Sequence, residues 1–138
     1  MDSLQKVYDF MGSAGYYFML TVDADGYPKG RAFTSKMIVD GKLYLATGNA
    51  KRVYQQIKTN PLVEVLAYQM KQREYMRVDA TAVIDEDIET AKKYLEKEPQ
   101  VRGDFEGDAE QQLGMFYLKD GKAEILTLDG TVKETFTF

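Results

Sequence analysis

Three of the chain's four Asp-Gly pairs separate strand-like runs: Asp40-Gly41, Asp120-Gly121 and Asp129-Gly130. Each is flanked by short runs rich in β-branched, aromatic and leucine residues, such as "KLYLAT" after the first and "TVKETFTF" after the last. Asp-Gly accepts the positive φ that tight hairpin turns demand, so these pairs predict antiparallel strands on either side. Upstream, "YYFMLTV" (16–22) and "GRAFTSKMIV" (30–39) flank a "DADGYP" turn, and "LVEVLAY" and "EYMRVDATAVI" form a further pair of strands. Six or seven short antiparallel strands favour a closed or partly closed barrel over an open sheet, because closure removes unpaired edges. The predicted class is mainly β, a β-barrel with peripheral helices.

Helical spacing appears three times. Leu4, Val7, Tyr8 and Met11 form an apolar stripe between Ser3, a candidate cap, and Gly12. Val53 and Ile57 place a helix over 51–58, opening on Lys51 and Arg52 with Asn49 available as its cap. Ile88, Ala91 and Leu95 mark a third, whereas 99–112 is acidic and Gly-containing and reads as a loop or a loosely helical cover. In 138 residues there is no repeat, linker or change of composition, so residues 1–138 are expected to form one domain.

Two absences narrow the chemistry. The chain has no Cys and no His. That excludes a Ser-His or Cys-His nucleophile, the usual Cys/His zinc sites, and His- or Cys-ligated haem. Catalysis here would rest on a bound organic cofactor. No apolar run approaches the roughly 20 residues of a membrane helix. The start, "MDSLQKVYDFMG", lacks a signal's basic and apolar regions, so a cytoplasmic location is expected.

The net charge of −4 is unevenly spread. Seven of the basic residues (Lys29, Arg31, Lys36, Lys42, Lys51, Arg52 and Lys58) fall within 30 positions that hold one acid, Asp40. An acidic protein with one basic island is a poor partner for nucleic acid and suits a compact anion better. Within the island, Lys51 and Arg52 occupy a helix start, where the backbone dipole disfavours cations by a few tenths of a kcal/mol, on the order of 0.3. Basic residues in a first helical turn also occur on solvated surfaces. A bound phosphate would instead take the free amide N–H groups there together with both cations. The turn Thr47-Gly48-Asn49 adds donors. If 30–39 pairs with 42–47 through Asp40-Gly41, Arg31 and Thr47 approach the same end of the hairpin, and Arg31 and Lys51 bracket the anion.

The order Pro28, Arg31, Phe33, Lys36, Asp40 to Tyr44, Thr47, Lys51, Asn60-Pro61 and Tyr75 to Val78 resembles the pyridoxamine 5′-phosphate oxidase-like superfamily. It is most similar to the short members related to nitroimidazole-resistance proteins. The match is good from about Tyr16 to Val83. The resemblance implies an FMN-binding split barrel of antiparallel Greek-key type, working as a homodimer with flavin at the subunit interface. It implies that Arg31, Ala32, Phe33, Thr34, Ser35 and Lys36 run beside the flavin, with Arg31 at the phosphate. Ala46 and Thr47 correspond to the pair ending the next strand, Asn49 lies in the turn that follows, and Lys51 and Arg52 correspond to the basic pair at the phosphate. Tyr75 falls near a position that contacts the ring in larger members. Phe33 and Tyr75 are equally readable as core aromatics, and Lys36 as a solvated strand lysine.

The departures matter too. The C-terminal His and Arg that bind pyridoxal substrates in larger oxidases are missing, so oxidation of pyridoxamine phosphate is not expected. Some related barrels bind deazaflavin instead of FMN. Ala80 in "RVDATA" stands where relatives often carry Gly. The leading expectation is an FMN-dependent oxidoreductase passing electrons to a small nitroaromatic or quinone-like substrate. A non-catalytic flavin or phosphorylated-ligand binding module, stress-related, is the alternative. A structural domain with a vestigial pocket is the third.

Overall fold

A computed structural model describes residues 2–138. Helix α1 (Ser3–Ala14) leads into strands β1 (Tyr17–Val22), β2 (Pro28–Phe33), β3 (Met37–Val39) and β4 (Lys42–Gly48). Helix α2 (Arg52–Thr59), β5 (Leu62–Gln69) and β6 (Glu74–Asp85) follow. The chain closes with α3 (Ile88–Lys97), a 3₁₀ helix (Pro99–Asp104), α4 (Ala109–Gln112), β7 (Leu113–Thr127) and β8 (Val132–Thr137). The strands form one antiparallel sheet in the order β2-β1-β5-β6-β7-β4-β3. β7 is long enough to carry β4 along its first half and β8 along its second. None of the helices among the described residues is long and apolar enough to cross a membrane.

The period-2 pattern of β4 shows how the sheet buries both faces. Leu43 and Leu45 enter the main core with Val7, Met11, Tyr17, Met19, Val65, Val78 and Phe116. Tyr44 and Ala46 point the other way, into a second cluster with Tyr94, Leu95, Val101, Leu113 and Met115 beneath α3. A strand apolar on both faces is expected where helices cover the outside of a sheet.

Several boundaries differ from the sequence expectation, each for a local reason. Asp2, rather than Ser3, caps α1 by accepting from the Gln5 amide, and the helix passes Gly12 to stop at Gly15, whose φ is 86°. Asp40-Gly41 does form a tight hairpin, both residues having positive φ (52° and 70°). Asp120-Gly121 does not turn: β7 runs straight through it, because Gly121 exchanges two backbone hydrogen bonds with Phe138. Any Cβ on Gly121 would collide with the Phe138 ring. At that point the β6–β7 register shifts between Asp79 and Thr81: Asp120 and Gly121 together face the single residue Ala80, so the bulge lies on β7.

The expected strand 30–39 is two strands. β2 pairs with β1, β3 pairs with β4, and Thr34 to Lys36 belong to neither. Arg31 therefore does not lie on the hairpin partner of 42–47, as the sequence suggested. Its strand runs along β1, with Arg31 opposite Met19.

Candidate functional site

Where β2 breaks, β4 ends and α2 begins, the chain encloses a cavity of about 610 Å³. β2 and the segment after it supply Arg31, Ala32, Phe33, Thr34 and Ser35. The end of β4 supplies Ala46, Thr47 and Gly48, and the start of α2 supplies Lys51 and Arg52. Nine of the eleven residues expected at the site thus line one space. Lys36 and Asn49 do not. The break after Phe33 turns Lys36 away, and its Nζ lies 4.6 Å from the centre of the Tyr8 ring on α1. Tyr75 also lies elsewhere, opposite Tyr68 and Leu126 in the sheet.

The start of α2 is open. The expected cap by Asn49 is not made: its side-chain amide donates to the Gln111 carbonyl at 2.9 Å, and its backbone N–H extends the β4–β7 ladder to Gln112. Lys51 takes the capping position in extended conformation without a side-chain hydrogen bond, and Arg52 is the first helical residue. No acidic residue lies in that first turn. The helix end therefore keeps its unsatisfied amide donors and its positive potential.

The basic island resolves into two groups. Lys29 pairs with Asp23 at 3.8 Å, and Lys36, Lys42 and Lys58 sit over the rings of Tyr8, Tyr117 and Tyr54. Arg31 is held by four hydrogen bonds, from Nη1 to Met19 O, Thr21 Oγ1 and Lys29 O and from Nη2 to Gln56 Oε1. Burial lowers its pKa. Thr21 also donates to Gln56 Oε1, so this guanidinium ties β2 to β1 and α2. Lys51 and Arg52 are exposed and, among the described residues, have neither an ion pair nor a side-chain hydrogen bond. Both face the cavity.

Sequence reasoning missed the opposite wall. Val101, Asp104, Phe105 and Leu113 line it, coming from the 3₁₀ helix, the residue after it and the start of β7. Phe105 lies close over Gly48, where a Cβ would come within 3.4 Å of its ring. The 99–112 stretch carries no periodic pattern, and only its isolated Val and Phe hinted that it covers something. Position also depends on close packing beneath α2. Tyr54 lies flat on Gly114 of β7, where an added Cβ would be 2.5 Å from Tyr54 Cδ1.

The donor set suits a phosphate-bearing flat ring. Two free cations, the Thr47 hydroxyl and helix amides gather at one end, and Phe33, Ala46, Val101, Phe105 and Leu113 give an apolar slot beside them. Among the described residues no cluster of three or more acidic side chains stands ready for a metal ion.

Comparisons with known proteins bear on the family and the fold. Residues 4–116 match the family described as pyridoxamine 5′-phosphate oxidase. A NimC/NimA family protein of Clostridium acetobutylicum superposes with a TM-score of 0.87 at 23% identity, over 100% of this chain and 95% of that one. An FMN-binding, pyridoxamine 5′-phosphate oxidase-related protein of Nostoc punctiforme gives 0.65 at 14% identity, covering 99% and 90%. A protein described as an F420 reductase gives 0.62 at 19%, covering 80% and 91%. At these identities the likeness establishes the fold, which is the split barrel that the sequence resemblance implied. No curated protein matches the chain.

Proposed function

Because the chain belongs to the pyridoxamine 5′-phosphate oxidase family, we propose that it is an FMN-binding flavoprotein and an oxidoreductase acting on a small electron acceptor. One observation carries the reading. Of seven cations in the basic island, the two without partners, Lys51 and Arg52, stand at the rim of an apolar-walled cavity. Lys51, Arg52 and the α2 amides hold the phosphate, with Arg31 pinning the strand beside it. Phe33, Ala46, Val101 and Phe105 orient the ring and keep water from it. Bound FMN supplies two-electron transfer between a reduced donor and a flat nitroaromatic or quinone-like acceptor. The absence of His and Cys fits this division of labour, since the cofactor carries the chemistry.

The 138 residues act as one cytoplasmic split-barrel domain that dimerises around the flavin. The exposed apolar group Tyr16, Phe18, Tyr68 and Met70 supports a protein partner. Deazaflavin F420 is the competing cofactor, on the strength of the reductase that shares the fold.

The test is direct. Purified protein is loaded with FMN, reduced anaerobically and mixed with a nitroaromatic or a quinone. Reoxidation at least about tenfold faster than free FMN supports an oxidoreductase. Bound flavin reoxidised no faster than free FMN marks a non-catalytic carrier. Tighter binding of F420 than of FMN reassigns the cofactor, and failure to bind either flavin overturns the reading.

A further inference from the structure

Thr34, Ser35 and Lys36 have no strand partner, yet Thr34 and Ser35 form part of the cavity wall. Side chains from β1 and from α3 and its C-cap hold this segment in place of a ladder. Tyr17 donates its hydroxyl to the Ser35 carbonyl at 2.6 Å, and Ser35 Oγ lies 2.6 Å from the Tyr94 hydroxyl. The Lys36 amide donates to Glu98 Oε1 at 3.2 Å. Tyr17 and Tyr94 are wholly buried and Ser35 nearly so. Phenylalanine would fill the same volumes without desolvating a hydroxyl, so two buried phenols converging on one serine point to a role beyond packing.

The Ala46 N–H, on the edge of β4 that β3 leaves free beyond Tyr44, is the backbone group that acts on the Tyr94 phenol. Burial raises the Tyr94 pKa, so the phenol keeps its single hydrogen. Ser35 Oγ, 2.6 Å away, is the hydroxyl within reach of that hydrogen.

We infer that Tyr94 is a positioning residue: it donates to Ser35 Oγ and so turns the Ser35 hydrogen into the cavity as a fixed donor toward the cofactor, while Tyr17 fixes the Ser35 backbone. This rests on the reading that the cavity holds FMN, and it adds the group that tunes the ring. A donor aimed at the ring favours the electron-richer state, so it raises the reduction potential of bound FMN. If Ser35 donated to Tyr94 instead, the cavity would lack this donor. The two directions predict opposite signs when the phenol is removed.

The experiment measures FMN affinity by fluorescence quenching and the midpoint potential of bound FMN by dye-equilibrated titration. The proteins are wild type, Tyr94→Phe, Ser35→Ala and the double variant. Each single variant is expected to weaken FMN about fivefold, the size of one ordinary hydrogen bond, and to lower the potential. The double variant is expected to match Ser35→Ala, because the two hydroxyls act as one unit. If Tyr94→Phe does not fold, Ser35→Thr replaces it, and the retained hydroxyl should preserve wild-type potential. An unchanged or raised potential in Tyr94→Phe, a lowered potential in Ser35→Thr, or additive losses in the double variant overturn the assignment. Those results leave the flavin reading standing. Wild-type protein that binds no FMN overturns both.

Discussion

At the residue scale the site depends on which cations are committed elsewhere. Arg31 makes four hydrogen bonds within the fold, whereas Lys51 and Arg52 make none with side chains. Lys51→Ala and Arg52→Ala should each weaken FMN binding about tenfold or more, the scale of a charge-assisted bond of about 1.5–3 kcal/mol. Neither should move the melting temperature of the cofactor-free protein. Arg31→Ala should do both, costing about 1–2 kcal/mol of stability as Thr21 and Gln56 lose their shared partner. Parallel FMN titrations and thermal melts of the three variants separate these roles. The clustering of positive charge was legible in the sequence because it is a local property of the chain. What the sequence did not reveal was the allocation. Lys36 and Lys51 look alike in one dimension, and only the break after Phe33 places one over Tyr8 and leaves the other at the cavity.

At the element scale, α2 is placed by a close approach. Gly114 pairs with Thr47 in the β4–β7 ladder and carries the ring of Tyr54 directly on its backbone. Gly114→Ala should overpack this contact, destabilise the protein by about 1–3 kcal/mol in urea unfolding, and weaken FMN binding by shifting Lys51 and Arg52. Across β5 and β6, Glu64 stands opposite Asp79. Burial first, then the hydrogen bond to Asp79 and its charge, raise the Glu64 pKa. With its folded pKa above the unfolded value, Glu64 contributes its full stability below the ordinary Glu pKa of about 4.3. That contribution is lost as pH rises through the raised value. Glu64→Gln should therefore stabilise the protein at pH 7, by no more than about 0.5 kcal/mol for so solvated a pair. The gain should vanish near pH 4 in matched thermal melts. Turn chemistry was readable where it stood alone, as at Asp40-Gly41. It misled at Asp120-Gly121, where the same dipeptide serves a bulge because Phe138 supplies the missing backbone partners.

At the scale of the whole molecule, strand content and antiparallel pairing followed from alternation and turns, but the order of strands did not. β7 joins β4 and β8 on one edge because it is 15 residues long and unbroken, a fact hidden by an apparent turn. The wall built from Val101 and Phe105 was equally illegible. A 3₁₀ segment has no amphipathic period to read, and its value lies in reaching across to Gly48. The exposed Tyr16, Phe18, Tyr68 and Met70 belong to the same scale. Sedimentation should give a dimer, and Phe18→Glu with Tyr68→Glu should shift it to monomer by burying like charges at the contact.

If Lys51 and Arg52 grip a phosphate, a flavin without one must bind more weakly. Calorimetric titration of FMN against riboflavin, which has the same ring and no phosphate, isolates that grip. FMN should bind at least about a hundredfold more tightly, from two charge-assisted bonds. Equal affinity for the two flavins would contradict the account.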